Sequence, residues 1–247
     1  MKKEELILNG INVKIFQQKK DVQHVLIAIH GFAGDSDSSV IYEIAKKITN
    51  DCKIVTFDLP NHGKNEDKDI LDLNKCLMSI KMIDEYVKEK FKGKKISYFA
   101  TSFGAYLLLS FLNDIKYKYY KIILRAPAIY MDEILKNVII PEHGYDFDEL
   151  GENIFDLGYN KQLLINMKFY EDLKKNKLDN KNNIDRYLYV IQGKKDDVVD
   201  YRKNEDFFKD KNTDKNKFYY FENADHRFKN DGELDKIVEI VREILIG

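Results

Sequence analysis

The chain passes from a strand-like pattern to a helix-like pattern at Ser102, with no loop between the two. Residues 95–100 have the pattern of a β-strand, and residues 103–113 form an apolar run of helical length. Small residues two positions before and after the serine, Ala100 and Gly104, allow the strand and the helix to approach closely. Such a turn holds its central residue in a strained conformation that projects the side chain and leaves the next backbone N–H free. The junction therefore predicts a helix packed beside its own strand, with the serine hydroxyl presented at the turn.

Two further polar side chains follow predicted strands later in the chain. Asp196 comes shortly after residues 186–191, and His226 comes shortly after residues 217–221. A serine nucleophile needs a histidine that takes its proton and a carboxylate that orients the imidazole. The order Ser102, Asp196, His226 predicts a triad of this kind, with every member just beyond a strand.

Strand-like and helix-like segments alternate along most of the chain. Such alternation predicts an α/β fold with helices on both faces of a mostly parallel central sheet. The dipeptide Asn9-Gly10 is a strong two-residue turn signal and predicts an opening hairpin. The predicted strands are residues 5–8, 11–17, 25–29, 53–57, 95–100, 121–124, 186–191 and 217–221, and the predicted helices are residues 40–49, 70–91, 103–113 and 233–245.

The alternation breaks between residues 131 and 185. This segment contains two short predicted helices, at residues 131–138 and 166–175. Between them, residues 157–161 form a stretch with Gly, Tyr and Asn. A polar tail at residues 174–183 is expected to be a solvated loop. We interpret residues 131–185 as a small cap inserted into a core that comprises residues 1–130 and 186–247.

The composition excludes several classes of function. The 247 residues, 44% hydrophobic and 34% charged, are typical of a soluble globular protein with a sizeable core. A formal net charge of -1, with lysines interleaved among acids, argues against nucleic-acid binding. Because no apolar run approaches the length of a membrane span and no secretion signal is evident, we expect a cytoplasmic enzyme. Cys52 and Cys76 have no metal-ligand spacing and are expected to be reduced thiols in or near the core.

Taken together, these segments resemble the α/β-hydrolase superfamily over essentially the whole chain. The resemblance rests on five motifs in order: His30-Gly31-Phe32-Ala33-Gly34, Asp58-Leu59-Pro60-Asn61-His62-Gly63, the turn around Ser102, Gly193-x-x-Asp196, and Asp225-His226. The His-Gly loop and the insertion are similar to those of small capped esterases of the cinnamoyl or feruloyl esterase and monoglyceride-lipase type. Asn61 and Ala100 stand where glycine is usual, and neither is expected to touch a reacting atom.

The resemblance also places the acid of the triad. Asp196 stands third after Gly193, the position at which the family carries its acid. Asp197 and Asp200 are rivals in the same Lys- and Asp-rich turn, where a carboxylate is otherwise a solvated loop acid.

An acyl-transfer reaction needs donors that stabilise the oxyanion of its tetrahedral intermediate. The backbone N–H of Phe103, immediately after the nucleophile, is one candidate donor, and by resemblance the backbone N–H of Phe32 is the other. Both rings are expected to line the acyl pocket or the core. His30 is expected to brace its loop rather than to react, and structural or surface roles are expected of His24 and His62. His143, in the predicted cap, could reach substrate, although a lone loop histidine is more often simply exposed.

These features predict a serine hydrolase that cleaves a small-molecule carboxylic ester through an acyl-enzyme, without a metal or an organic cofactor. A thioesterase, an acyltransferase or a peptidase would use the same triad, and these alternatives differ only in the nucleophile or leaving group that the pocket admits. A ligand receptor without hydrolytic activity is an alternative from another class, because a fold does not dictate a function. The sequence does not indicate an oligomeric state.

Overall fold

The computed structural model describes residues 1–65, 69–113, 119–151, 153–158, 162–178, 188–209 and 216–247. Its strands are β1 (Lys2–Leu8), β2 (Ile11–Gln17), β3 (His24–Ile29), β4 (Cys52–Phe57), β5 (Lys95–Thr101), β6 (Ile122–Arg125), β7 (Phe155–Asp156), β8 (Leu164–Ile165), β9 (Leu188–Gly193) and β10 (Asn216–Phe221). Its helices are α1 (Ser39–Ile48), α2 (Leu73–Lys90), α3 (Phe103–Asn113), α4 (Met131–Ile134), α5 (Ile140–Glu142), α6 (Met167–Lys175), α7 (Tyr201–Lys209) and α8 (Glu233–Ile246).

Eight of these strands form one sheet in the order β1-β2-β4-β3-β5-β6-β9-β10. The pairings from β4 through β10 are parallel, and only the β1–β2 and β2–β4 pairings are antiparallel. The carboxyl ends of the parallel strands therefore meet at one edge of the sheet, where this class of fold places its ligands. The predicted α/β fold with a mostly parallel sheet is confirmed.

Apolar side chains of the sheet build a core on each face. On one face they pack against α1 and α8, and on the other they pack against α2, α3, α6 and α7. Strands β3, β4 and β5 are buried on both faces, which explains their nearly continuous apolar sequences. At the edge of the sheet, the hairpin turns at Asn9 (φ +48°) and Gly10 (φ +86°), as expected of a turn that needs two positive φ angles.

The helix predicted to begin at residue 70 begins at Leu73. Asp72 caps it, because its side chain accepts a hydrogen bond from the Lys75 N–H at 3.0 Å. Ile70 instead forms an isolated β-bridge with Leu164. The local capping interaction therefore decides where the helix starts.

Helix α7 was not predicted from the sequence. Only Asn204, Phe207 and Phe208 are buried along its length, which is too few to give an apolar period. The Asp200 side chain stabilises its start by accepting a hydrogen bond from the Arg202 N–H at 2.9 Å. Asp200 thus has a structural contact of its own.

The segment predicted to be a cap contains α4, α5 and α6 and the short hairpin of β7 and β8. A π-helical turn, Leu135–Ile139, joins α4 to α5, so the helical stretch runs on past residue 138. The polar tail predicted to be a loop begins inside α6, and residues 179–183 of it lie outside the described residues, as do residues 159–161. The division into core and cap stays a prediction.

Both cysteines are free and buried. Burial raises the pKa of the Cys52 thiol to about 12 and also raises the pKa of Cys76. Across the described ranges, no helix is both long and apolar enough to cross a membrane.

Candidate active site

Ser102 lies at the turn between β5 and α3, in the middle of the sheet. Its φ is +51°, and its N–H donates to the Arg125 carbonyl at 2.9 Å. A Cβ atom on Gly104 would lie 2.3 Å from the His30 carbonyl oxygen, so only glycine allows α3 this close to the loop after β3. The strained turn that the sequence predicts is therefore formed here.

The structure brings Ser102, His226 and Asp196 together in one chain of contacts. The Nε2 atom of His226 lies 3.1 Å from the Ser102 Oγ, and the Nδ1 atom lies 3.0 Å and 3.1 Å from the two carboxylate oxygens of Asp196. An ionised carboxylate can only accept, so Nδ1 carries the proton and Nε2 is free to accept from the serine hydroxyl. The arrangement can deprotonate a serine hydroxyl.

The Asp196 side chain is completely buried, whereas 16% of the His226 side chain is exposed. The Asp196 Oδ1 accepts hydrogen bonds from the backbone N–H groups of Val198 at 3.0 Å and Val199 at 2.7 Å. Its Oδ2 accepts from the side-chain amide of Gln192 at 3.0 Å. These donors stabilise the carboxylate without solvent.

The rival acids lie elsewhere. Asp200 caps α7, and Asp197 is exposed beside the cavity described below. Gly193 permits the close approach that brings Asp196 to His226, because a Cβ atom on it would lie 2.3 Å from the Ala224 carbonyl oxygen. The loops after β9 and β10 are consequently in contact.

His30 braces its loop, as the sequence analysis expects. Its Nδ1 donates to the Gly31 carbonyl at 2.8 Å, and its Nε2 accepts from the Leu59 N–H at 3.0 Å. Burial lowers the pKa of His30, which favours the neutral ring that this pairing requires. The imidazole therefore ties the loop after β3 to the loop after β4.

Phe32 and Phe103, the two candidate oxyanion donors, lie in the loop after β3 and at the start of α3. Phe103 is the first residue of α3, and the N–H groups of a helix's first turn have no acceptor within the helix. The ring of Phe103 is completely buried and contacts the ring of Phe169, so it belongs to the core. The ring of Phe32 packs edge-on against the ring of Phe103, with 5.6 Å between the ring centres. It also lines the cavity described below.

A cavity of about 1000 Å³ opens over Ser102 and His226. Part of its apolar wall is formed by Met131, Ile134, Ile139 and Val198, three of which come from the predicted cap. His143 also lines the cavity, with its Nδ1 2.8 Å from the Ile139 carbonyl. The structure places His143 against the cavity because the helical stretch from α4 continues to it.

Arg125 is a site residue that the sequence analysis did not single out. Only 8% of it is exposed, and its Nη2 donates to the Arg227 carbonyl at 2.9 Å. Its guanidinium carbon lies 4.6 Å from the centre of the Phe228 ring. Burial lowers the pKa of Arg125 to about 10, against the opposing charges of Asp196 and Asp225. A charged residue at the carboxyl end of a buried strand was the only signal in the sequence.

His62 and His24 have partners other than Ser102, Asp196 and His226. His62 is buried with its ring 5.2 Å from that of His30, and burial lowers the pKa of His62 to about 3. Its Nδ1 lies 2.7 Å from the Pro60 carbonyl, so it stabilises the loop after β4. His24 is the first residue of β3, and the centre of its ring lies 5.2 Å from that of Tyr120.

A serine at a strand-to-helix turn, on a parallel sheet of this order, defines an α/β-hydrolase fold. Comparison with known families agrees: the chain belongs to the family described as alpha/beta hydrolase of unknown function (DUF900), whose sequence profile matches residues 9–174. A search of the curated proteins found no match.

Solved structures with the same fold include Est1E, a monoglyceride lipase and a serine hydrolase. The structure of Est1E from Butyrivibrio proteoclasticus with ferulic acid bound is 18% identical, with a TM-score of 0.76 and 98% of each chain covered. A monoglyceride lipase from Saccharomyces cerevisiae is 14% identical, with a TM-score of 0.73 and coverage of 98% of this chain and 94% of that one. A serine hydrolase without a lid from Xanthomonas campestris is 15% identical, with a TM-score of 0.62 and coverage of 98% and 93%. The resemblance stated from the sequence motifs is confirmed.

Proposed function

We propose that the protein is a serine hydrolase that cleaves carboxylic esters through an acyl-enzyme. The observation that carries this proposal is the chain of contacts from the Ser102 hydroxyl through His226 to the buried Asp196 carboxylate. A buried carboxylate, a partly exposed imidazole and a serine at a strained turn are the three components that acyl transfer to serine requires.

The reaction begins when His226 Nε2 takes the proton of Ser102 as the hydroxyl oxygen attacks the ester carbonyl. The tetrahedral intermediate collapses as the imidazolium returns this proton to the leaving alcohol. Water then attacks the acyl-enzyme with His226 as base again, which releases the acid and restores the serine. Asp196 stays ionised throughout and stabilises the imidazolium.

Two backbone N–H groups hold the oxyanion in this proposal, those of Phe32 and Phe103. They come from the loop after β3 and from the start of α3, which the packing of Gly104 on the His30 carbonyl brings close together. Preorganised donors of this kind each contribute on the order of 100-fold or more to the rate.

The proposed substrate is a small-molecule ester that binds between the triad and residues 131–185, which act as a cap. Support for an ester comes from the neighbours named above, one of which was solved with ferulic acid and another with a substrate analogue. Support for a cap comes from Met131, Ile134 and Ile139, which form part of the wall of the cavity over Ser102.

Turnover of p-nitrophenyl esters, together with labelling by a fluorophosphonate, tests this proposal. The wild-type protein should give a burst and a steady rate, and the reagent should label Ser102. Ser102→Ala should abolish both while leaving the folded state intact, because only the attacking oxygen is lost. A folded wild-type protein that neither turns over esters nor reacts with the reagent would instead be a ligand receptor.

A further inference from the structure

A row of buried amides continues the triad beyond its acid. The Gln192 Nε2 donates to Asp196 Oδ2 at 3.0 Å, and the Gln192 Oε1 accepts from Asn204 Nδ2 at 2.9 Å. Neither side chain reaches solvent, since Gln192 is 0% and Asn204 is 1% exposed. The row runs from α7 through the end of β9 to the carboxylate.

The partners determine the orientation of each amide in this row. Gln192 Nε2 also lies 3.2 Å from the Gly193 carbonyl, and Asn204 Nδ2 lies 3.0 Å from the Pro127 carbonyl. Each NH₂ group is therefore placed between two acceptors, and a flipped amide would set oxygen against oxygen. The Gln192 amide can only donate to Asp196.

We infer that Gln192 and Asn204 are positioning residues that set the charge distribution on Asp196 and, through it, the protonation of His226. The inference rests on the proposed function, because it assigns their effect to the proposed base. Gln192 acts directly on the carboxylate, and Asn204 holds Gln192 in the donating orientation. Neither residue touches substrate.

The physical reason lies in the proton affinity of the Asp196–His226 pair. A neutral donor on Oδ2 disperses the negative charge of the carboxylate, which weakens its attraction for an imidazolium. Loss of the donor leaves a buried carboxylate less stabilised, so the pair as a unit binds a proton more tightly. His226 would then be protonated, and unable to act as base, at a higher pH.

Other charges around the pair come from several elements. The buried guanidinium of Arg125 approaches from β6, and Asp197 lies in the loop after β9. The loop after β10 contributes Asp225, Arg227 and Lys229, while Glu142 and His143 face the same cavity from the segment after β6. Uncharged substitutions of Gln192 and Asn204 change none of these charges, so a shift in protonation can be assigned to the amides.

The experiment compares the wild-type protein with Gln192→Met, which conserves length and volume but cannot donate. The histidine signals are followed by NMR between pH 4 and 9, and the His226 signal is identified by its loss in His226→Gln. We expect the titration midpoint of His226 to rise by about one pH unit, which corresponds to one hydrogen bond to a charged group. The acid limb of kcat/KM for a p-nitrophenyl ester should move upward by the same amount.

Asn204→Leu provides a second, weaker perturbation. This variant keeps the Gln192 side chain but removes the Asn204 amide that donates to the Gln192 Oε1. We therefore expect the His226 titration midpoint to move in the same direction as in Gln192→Met, by a smaller amount. If Gln192→Met does not fold, the Asn204→Leu midpoint decides the question by the same criterion.

Tyr98→Phe is the matched control. The Tyr98 hydroxyl donates to the buried carboxylate of Asp84 at 2.9 Å, so this variant also removes one neutral donor from a buried acid, away from the triad. It should lower stability without moving the His226 midpoint. If the His226 titration midpoint is also unchanged in Gln192→Met and in Asn204→Leu, the inference is overturned. Both amides would then serve only to pack the interior. Because the NMR titration needs no turnover, a protein without esterase activity would refute the proposed function while the amide result could still be read.

Discussion

At the scale of single residues, the conformation of Ser102 is held by its neighbours. A left-handed backbone costs a non-glycine residue on the order of 1–3 kcal/mol. The Ser102 N–H donates to the Arg125 carbonyl at 2.9 Å, and its carbonyl accepts from the Ala128 N–H at 3.2 Å. The end of β6 therefore holds the turn from both sides, and the hydroxyl itself contributes nothing to it.

The identity of the acid can be tested by two neighbouring substitutions. Asp196→Asn should lower kcat by about 10⁴, because an amide cannot hold the His226 tautomer or stabilise its charged form. Asp197→Asn is the control, since this carboxylate is exposed and does not contact the imidazole. Steady-state kinetics on one p-nitrophenyl ester measures both. The reverse ranking would mean that the loop after β9 is shifted by one residue.

The close approach at Gly104 predicts a large effect of a single methyl group. In Gly104→Ala the Cβ atom would lie 2.3 Å from the His30 carbonyl, so α3 or the loop after β3 must move. We expect a loss of about 1–3 kcal/mol in the free energy of unfolding, measured by urea denaturation, together with a loss of activity as the Phe32 N–H moves. Gly151→Ala, with open space around its Cβ position, should change neither.

At the scale of elements, the loops at the carboxyl edge of the sheet are joined to one another rather than merely adjacent. The imidazole of His30 ties the loop after β3 to the loop after β4, and the guanidinium of Arg125 ties β6 to the loop after β10. Asn204 joins α7 to the segment after β6 through the Pro127 carbonyl. These links make the edge a connected frame for Ser102, Asp196 and His226.

The helical stretch after β6 should set substrate preference if it forms a cap. Ile134→Ala and Ile139→Ala enlarge the apolar wall of the cavity, so the ratio of kcat/KM between bulky and short esters should change on the order of tenfold. Reactivity toward the smallest ester should change less, because remote binding contributes little there. Lys136→Ala, an exposed residue on the same stretch, is the control. Equal slowing of every ester would place the stretch outside the substrate site.

At the scale of the whole molecule, two buried histidines make stability depend on pH. Burial lowers the pKa of His30 and lowers that of His62 to about 3 from an ordinary value of 6.5. A group whose pKa is lowered on folding binds fewer protons in the folded than in the unfolded state. The contribution of each neutral, buried histidine to the free energy of unfolding is therefore complete above pH 6.5 and is lost as the pH falls toward 3.

Urea denaturation at pH 7, 6, 5 and 4 should follow this dependence. The free energy of unfolding should decrease on acidification by up to about 1.4 kcal/mol per pH unit for each buried histidine. His62→Phe should remove one histidine's share of that slope, at some cost in stability at pH 7 from the lost contact to Pro60. Equal slopes in the two proteins would show that His62 does not carry the effect.

Local features of the sequence predicted the eight strands of the main sheet, the hairpin at Asn9-Gly10 and the turn at Ser102, because each depends on residues within a few positions of one another. The short strands β7 and β8 were not predicted. Gly104 was expected to let α3 approach its own strand, and the structure shows that the group it approaches is the His30 carbonyl of the loop after β3. The close approach of Gly193 to the Ala224 carbonyl was not predicted. The order of the motifs nominated Ser102 and His226, and the family resemblance that they carry nominated Asp196 over Asp197 and Asp200.

Only the tertiary structure decided which groups surround these residues. Arg125 contacts the His226 loop from about a hundred positions away, and Asn204 reaches Gln192 from a helix too short and too charged to be recognised by its period. The sequence alone determined the eight strands of the main sheet, most of the helices and the candidate nucleophile, base and acid, since these follow from local pattern, motif order and the resemblance that the motifs carry. The partners that hold them are chosen by strand order and loop packing, and these long-range contacts leave no periodic trace in a single sequence.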